Sequence, residues 1–223
     1  MSFAELITQS LHLDTTNGAA IKQFIKRFDL VYFGKVDHRY DDHAVVRGVT
    51  ASAQHIDKHF AVGNIKGRDV SILERTNTLH FPNKPSQEYN WVIVQVDLKE
   101  GLELPHIFID AHHHDEVFYA NLFVNFSNFQ KAHSLFVNDD PLFNERFNTY
   151  TPFDKFDDSS RILQPEVTSM LAHHFAQFDY EMQEDMLYIY CSNQKITEKE
   201  IERMARIGLW LADAVEKNAV VLQ

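Results

Sequence analysis

Residues 165–200 read PEVTSMLAHHFAQFDYEMQEDMLYIYCSNQKITEKE, and every element in this stretch has its own start or stop signal. Pro165 suits the first position of a helix, where its missing N–H is not needed. One helical face then carries side chains at spacings of three and four, namely Val167, Met170, Leu171, His174, Phe175 and Phe178. The polar triplet 183–185 separates the segments 180–182 and 186–191 and predicts a tight hairpin.

A long helix is predicted directly after this hairpin. Thr197 and Glu200 have the spacing of a capping box, in which each side chain bonds the other residue's free backbone amide. The helix behind the box carries small and apolar residues on one stripe, namely Ile201, Met204, Ala205, Gly208, Leu211, Ala212 and Val215. Upstream of residue 165, Phe143, Glu145 and Phe147 alternate with polar neighbours, which predicts a strand over 142–151.

The remainder of the chain is predicted to be a helical arm followed by strands. Helical spacing of apolar residues indicates two N-terminal helices, over 2–12 and 17–28, with Asn17 capping the second. Runs rich in β-branched and aromatic residues predict strands over 30–33, 45–49, 59–62, 69–75, 91–96, 104–109 and 117–126. We therefore expect a helical arm at 1–28 and a single domain at 29–223, with a candidate sub-boundary near 137–141.

This order of elements predicts an α+β fold. Two N-terminal helices and two helices of the C-terminal half would pack on a largely antiparallel sheet. Cys191 lies in the apolar run of the hairpin, which indicates a buried structural thiol. A single cysteine excludes an intrachain disulfide, and the N-terminus lacks the pattern of a signal peptide, so we expect a cytoplasmic protein.

Composition and charge restrict the partners of the chain. The 223 residues are 44% hydrophobic and 24% charged, and the net charge is −11 with neutral histidines. Nucleic-acid binding needs clustered Lys and Arg, so this balance argues against it. No apolar run approaches the roughly 20 residues that span a bilayer, so we expect no direct membrane insertion. A protein partner is the remaining expectation, including association with a membrane protein.

Residues 142–190 resemble part of a family of uncharacterised bacterial proteins, a domain of unknown function. The resemblance rests on Phe143–Phe147, the short strand after it, Ile162–Pro165, the amphipathic helix and Leu187–Tyr190. Members of that family carry a phrase of the type F-x-x-x-F-x-V-Y … L-L-T-P, and many place the domain behind membrane helices. This chain has an amphipathic N-terminus instead, and Gln164 stands where the usual Thr would be. The resemblance implies a fold and brings no catalytic residue with it.

The cluster His112–Glu116 is the candidate metal site. Imidazole and carboxylate are metal ligands, and this run concentrates both. If the segment were a strand, alternation would put His112, His114 and Glu116 on one face. The competing interpretation is a solvated polar connection between the strands predicted over 104–109 and 117–126.

Other polar clusters carry weaker signals. Asp37–His43 has the composition of a surface loop and lacks the pattern of a calcium loop. His174 belongs to an apolar stripe and is interpreted as a histidine at the edge of the core. No Gly-x-Ser-x-Gly elbow and no phosphate-binding loop occurs in the chain.

Three functional hypotheses follow from these observations. The first is an interaction or scaffold domain without enzymatic activity, because no catalytic constellation and no cofactor motif is complete. The second is a metal-binding protein or metal-dependent enzyme that uses His112, His114 and Glu116. The third is a small-ligand binder with an aromatic cavity lined from the Phe-rich strands.

Overall fold

A computed structural model describes residues 17–36, 47–51, 55–80, 85–99, 102, 104–132 and 140–220. The predicted α+β class with an antiparallel sheet is confirmed. Within the described residues the strands form one sheet in the order β1-β2-β3-β4-β9-β8-β5-β7-β6, and every pairing is antiparallel. In chain order the strands are β1 Val31–Val36, β2 His55–Ile65, β3 Arg68–Leu79, β4 Gln87–Asp97, β5 Leu104–Asp110, β6 Phe129–Lys131, β7 Asn148–Pro152, β8 Asp179–Glu184 and β9 Met186–Ser192.

Helices connect and cover these strands. They are α1 Gly18–Phe28, α2 Glu116–Leu122, α3 Pro141–Arg146, α4 Phe156–Ile162, α5 Pro165–His174 and α6 Glu198–Val220, with a 3₁₀ turn at Phe153–Lys155. The hairpin predicted around 183–185 joins β8 to β9, and Pro165 begins α5 as expected. Among the described residues, no helix has both the length and the apolar run needed to cross a bilayer.

Strand β9 shows how the sheet divides into two faces. Leu187, Ile189 and Cys191 belong to the core beneath the helices, which contains residues of α1, α5 and α6. Tyr188 and Tyr190 belong to a second, aromatic cluster. Because side chains alternate along a strand, the residues of this one strand contribute to two separate cores. The helix-side core includes residues before and after the 137–141 connection, so both halves pack together.

Helix α6 lies close against the sheet at Gly208. A Cβ atom at this position would come within 2.7 Å of Ile189 Cδ1 and 2.9 Å of Val96 Cγ2. The glycine therefore permits a close approach, since a side chain at this position would require Ile189 and Val96 to shift. The predicted capping box begins this helix, since Thr197 N donates to Glu200 Oε2 at 2.7 Å and Glu200 N donates to Thr197 Oγ1 at 3.3 Å.

Asn17 precedes α1 but does not cap it, which corrects the prediction from sequence. Its side chain instead joins distant parts of the chain. Asn17 Oδ1 accepts a hydrogen bond from Ile196 N at 3.1 Å, and Nδ2 donates to Glu74 Oε1 at 3.3 Å. Helix α1 then buries Ile21 and Phe24 against α6 and the sheet.

Three segments differ from their predicted structure. Residues 117–122, predicted as part of a strand over 117–126, belong to α2, because Asp115 caps a helix there by accepting from Phe118 N at 2.8 Å. The strand predicted over 142–151 begins only at residue 148, because Asp140 caps α3 and Pro141 takes its first position. Residues 47–51 form a turn with Gly48 at φ +90°, whereas a strand was expected over 45–49.

Two further predictions cannot be compared with the structure, and two others can. The helix expected over 2–12 and the polar loop Asp37–His43 lie outside the described residues. His174, interpreted as a histidine at the edge of the core, is exposed at the end of α5. The predicted burial of Cys191 is confirmed, and burial raises the pKa of its thiol to about 11 although a hydrogen bond from Gln194 opposes this.

An ion-pair cluster fastens the end of α6 to the β2–β3 hairpin. Arg68 Nη1 donates to Glu216 Oε1 at 2.6 Å, and the backbone N–H of Lys99 donates to the same oxygen at 2.9 Å. Burial raises the pKa of Glu216, but the hydrogen bonds from Arg68 and Lys99 outweigh this and lower it to about 2. The ionised carboxylate is therefore favoured in the folded state.

Replacing Glu216 with Gln should weaken this attachment in a pH-dependent way. At pH 7 we expect a loss of about 2 kcal/mol, typical of a hydrogen-bonded charged group. Because the folded pKa is depressed, the stabilisation is present above the unfolded pKa near 4.5 and is lost as pH falls towards about 2. Urea unfolding of both proteins at several pH values would measure the difference in free energy, which should shrink over that interval.

Glu166→Gln is the matched control, because Glu166 forms an exposed pair with Lys217 at 3.8 Å. Exposed pairs contribute about 1 kcal/mol or less, so this variant should differ little from the wild type. A Glu216→Gln difference that stays constant from pH 7 to pH 2 would contradict the assignment.

Candidate functional site

The face of the sheet opposite α6 is built from aromatic side chains. It combines Trp91 of β4, Phe108 of β5, Tyr150 of β7, and Tyr188 and Tyr190 of β9. Helix α2 lies over this face and adds Phe118, Tyr119, Leu122 and Phe123 to the same cluster. These rings meet in edge-on, tilted and stacked pairs, for example Phe108 and Phe123 edge-on with centroids 5.6 Å apart, which is a favourable aromatic geometry.

Buried polar groups lie within this aromatic layer. Glu181 of β8 is fully buried, and its Oε1 contacts His106 Nε2 at 2.5 Å while Tyr190 OH donates to Oε2. Val49 N donates to Oε1 at 2.9 Å, which holds the turn at 47–51 against the sheet. The carboxylate is thus fully provided with donors, as a buried charge requires.

Asp110, the last residue of β5, fixes the conformation of the loop that follows it. It is buried, and its oxygens accept hydrogen bonds from His112 N at 3.2 Å and His113 N at 2.9 Å. Tyr119 OH of α2 also donates to this carboxylate and in turn accepts from His114 N at 2.9 Å. The loop 111–115 and the first turn of α2 are therefore arranged around one buried anion.

A second buried carboxylate, Asp179 at the start of β8, orients His112. Asp179 Oδ1 lies 2.9 Å from His112 Nδ1 and accepts from Ala111 N at 2.8 Å. The hydrogen bond to Asp179 raises the pKa of His112 despite the opposing effect of burial. Burial raises the pKa of Asp179, while His112 opposes that shift. The imidazole itself is half-buried, with 28% of its side chain exposed.

The other side of His112 faces Ser192 and a second histidine. Ser192 Oγ, at the end of β9, lies 3.3 Å from His112 Nε2. The His114 ring stacks beside the His112 ring with centroids 5.7 Å apart and an interplanar angle of 7°. Tyr89 OH lies 2.8 Å from His114 Nε2, and burial raises the pKa of Tyr89 to about 12 although a hydrogen bond with Ser192 opposes this.

Strand direction explains why these residues meet. Strands β5 and β9 both run antiparallel to β8, which lies between them. The last residues of β5 and β9 therefore reach the same edge of the sheet as the first residue of β8. Asp110, Asp179 and Ser192 occupy those strand ends, and the loop after β5 brings His112 among them.

The candidate metal ligands are only partly brought together. Residues 111–115 form a loop and Glu116 begins α2. The prediction that strand alternation places His112, His114 and Glu116 on one face is therefore wrong. Among the described residues, donor atoms of Asp110, His112 and Asp179 lie within 4.8 Å of one another, without His114 or Glu116. Hydrogen bonds between these three residues and with neighbouring backbone explain why their side chains lie close together. Metal binding by His112, His114 and Glu116 stays a prediction.

Two cavities open next to this polar cluster. A groove of about 730 Å³ lies between α2 and the β6–β7 edge, walled by Tyr119, Phe123, Phe126, Phe129 and Tyr150. Its rim carries His114, Glu116, Lys131 and Asn148. A second cavity of about 530 Å³ lies on the other side of α2, where Tyr89, His114, Phe118 and Asn193 contribute to the wall. His114 therefore borders both cavities.

Sequence reasoning found His112 and His114 but missed Asp110, Asp179, Ser192 and Tyr89. The predicted hairpin places Asp179 and Ser192 at the open ends of two paired strands, so the sequence could have indicated that these two residues lie close together. The pairing of β5 with β8 was not readable from local patterns, because it joins segments some 70 residues apart. Helix α2 was missed because its aromatic residues also suit a strand.

Comparison with known proteins supports the fold. No family model and no curated protein matches the chain, so the resemblance to the bacterial family stays a prediction. The crystal structure of mycobacterial trehalose monomycolate transport factor A, TtfA, is similar over 90% of this chain and 93% of that one, with a TM-score of 0.55. Sequence identity is 11%, and at that level the similarity shows a shared fold alone.

Replacing Tyr119 with Phe tests whether Asp110 organises the loop. The change leaves the His114 N–H without its acceptor and removes one donor from a buried carboxylate, so unfolding should need about 1–3 kcal/mol less. Urea unfolding of the variant and the wild type would measure this. Tyr32→Phe provides a comparison at a more exposed position, since Tyr32 is 46% exposed and its hydroxyl bonds His59 Nδ1 at 3.0 Å, so this variant should lose only about 0.5–1.5 kcal/mol. Equal stability of the Tyr119→Phe variant and the wild type would contradict the proposed role.

Proposed function

We propose that this protein binds a small organic molecule in the aromatic groove between α2 and the β6–β7 edge. The observation that carries the proposal is the groove itself. Its volume of about 730 Å³ falls within the range of roughly 300–1,000 Å³ that is usual for small-molecule sites. This proposal develops the third hypothesis from sequence, although the aromatic rings come from a helix and sheet edge as well as from strands.

The chemistry of the walls indicates the class of ligand. Tyr119, Phe123 and Tyr150 are buried at the inner wall, while Phe126 and Phe129 are half-buried towards the opening. Such rings bind flat or apolar groups through offset and edge-on contacts. Rim groups of both charge signs, Glu116 and Lys131, favour a ligand with one polar end over a purely hydrocarbon molecule.

The groove is held in shape before any ligand arrives. His106 lies against its outer rings, with its centroid 4.7 Å from Phe126 and 4.4 Å from Phe129. His106 is in turn fixed by the buried Glu181 carboxylate. A preformed wall lowers the ordering cost of binding, so a small ligand can gain affinity from contact area.

The other hypotheses from the sequence remain predictions, namely an interaction or scaffold role and association with a membrane protein. TtfA is a transport factor by name, and at 11% identity we carry none of that role to this chain. We retain a cytoplasmic location as part of the proposal because the single cysteine is buried and the chain cannot form an intrachain disulfide.

Binding of the fluorescent probe 8-anilinonaphthalene-1-sulfonate to native protein tests the groove. Ala120 is exposed on α2 and lines the groove, so Ala120→Glu should place a charge among the rings. We expect saturable binding to the wild type and at least a tenfold weaker affinity in the variant, about 1.4 kcal/mol. Fluorescence titration measures both dissociation constants.

Asn121→Glu is the matched control, since it adds the same charge one residue further along α2 at a position that does not line the groove. This variant should keep its affinity. Thermal-shift screening of small aromatic and amphipathic compounds would then search for the natural ligand, with Ala120→Glu as the counter-screen. Equal probe binding by Ala120→Glu and Asn121→Glu, or no saturable binding to the wild type, would refute the proposal.

A further inference from the structure

We propose that Ser192, His112 and Asp179 form a nucleophile, base and carboxylate triad that transfers the acyl group of a small neutral carboxylic ester to water. The three side chains contact one another in the order known for such triads, from nucleophile to base to carboxylate, and such triads recur on unrelated folds. Ser192 Oγ lies 3.3 Å from His112 Nε2, and His112 Nδ1 lies 2.9 Å from Asp179 Oδ1. The serine contact is long, as is usual before substrate binds.

The hydrogen bonds assign a role to each ring nitrogen of His112. Asp179 Oδ1 accepts a hydrogen bond from Ala111 N and therefore acts as an acceptor towards His112 too, so Nδ1 carries the proton that is donated to Asp179. This leaves Nε2 to accept from the Ser192 hydroxyl when the ring is neutral. The charged and titratable groups around His112 are Asp179, Asp110 and His114, and the two carboxylates stabilise the imidazolium that forms when His112 takes a proton.

On this proposal a substrate reaches Ser192 from the cavity of about 530 Å³, whose lining residues do not include Ser192 or His112 themselves. Ser192 is only 4% exposed, but its neighbour Asn193 and its hydrogen-bond partner Tyr89 both line that cavity. The Tyr89 hydroxyl borders this approach and is hydrogen-bonded to Ser192 and His114, so it contacts an ester carbonyl oxygen only by exchanging one of these partners. Glu88 and Asp115 also line the cavity, which disfavours negatively charged substrates.

The reaction proceeds in two balanced halves. Ser192 Oγ forms a bond to the ester carbonyl carbon while its proton moves to His112 Nε2. The carbon–oxygen bond to the alcohol breaks, and the alcohol leaves with that proton, which gives an acyl-serine. Water then attacks the acyl carbon, His112 takes the proton of the water, and the acid leaves as Ser192 regains a proton. Asp179 is a positioning residue throughout.

Labelling by an alkyl fluorophosphonate is the appropriate test. Free imidazole also cleaves activated esters, and the chain has 13 histidines, so ester hydrolysis alone would be ambiguous. With the probe, Ser192 Oγ bonds to phosphorus, fluoride leaves, and His112 takes the serine proton. Intact-mass and peptide mass spectrometry of the full chain should find one adduct, on Ser192.

Variants separate this proposal from adventitious labelling. Ser192→Ala should lose the adduct, and Ser160→Ala, on α4 and lining neither cavity, should keep it. His112→Gln should slow labelling by about 10²-fold or more, as expected for loss of a general base. Asp179→Asn should slow it too and should move the pH profile of labelling, which a purely structural role for Asp179 would not do. Thermal melting checks that each variant is folded.

The labelling results either support the triad or overturn it. An adduct on Ser192 that depends on His112 supports the triad. No adduct on Ser192 in the folded wild-type protein would overturn it, and so would an adduct that forms at an unchanged rate in folded His112→Gln. Probe binding in the aromatic groove is measured independently, so failure of the triad leaves the proposed function intact.

Discussion

The alternation of side chains across one continuous antiparallel sheet is the constraint on which the rest of the structure depends. Strands β4, β5 and β9 give aliphatic residues to the helix-covered face and place Trp91, Phe108 and Tyr190 on the other face. A shift of one residue in register would exchange the two sets and expose both cores. The close approach of α6 at Gly208 and the docking of α2 on the aromatic face both require this assignment.

The aromatic face buries charge as well as rings. Glu181, Asp110 and Asp179 are all buried there, and each accepts hydrogen bonds from backbone or side-chain donors. Such anions are costly unless they are fully provided with donors, so they fix the segments that supply those donors. In this way three carboxylates position the turn at 47–51, the loop after β5 and the His112 ring.

Local sequence signals predicted a large part of the fold. The capping box at Thr197, Pro165 and the β8–β9 hairpin depend on neighbours in the chain, and each lies where it was expected. Helix α2 was mistaken for a strand because Phe118, Tyr119 and Phe123 suit either structure, and the Asp115 cap decides between them. The site was less predictable, because Asp110, Asp179 and Ser192 meet only through the order of β5, β8 and β9 in the sheet.

The contact central to the site is the docking of His112, carried by the loop after β5, on the buried carboxylate of Asp179. NMR titration of the histidine ring protons measures this most directly, with His112→Gln used to assign the signal. We predict that the pKa of His112 lies above the unperturbed value of about 6.5 and falls in the Asp179→Asn variant. A pKa at or below about 6.5 in the wild type, or one unchanged by Asp179→Asn, would contradict this docking.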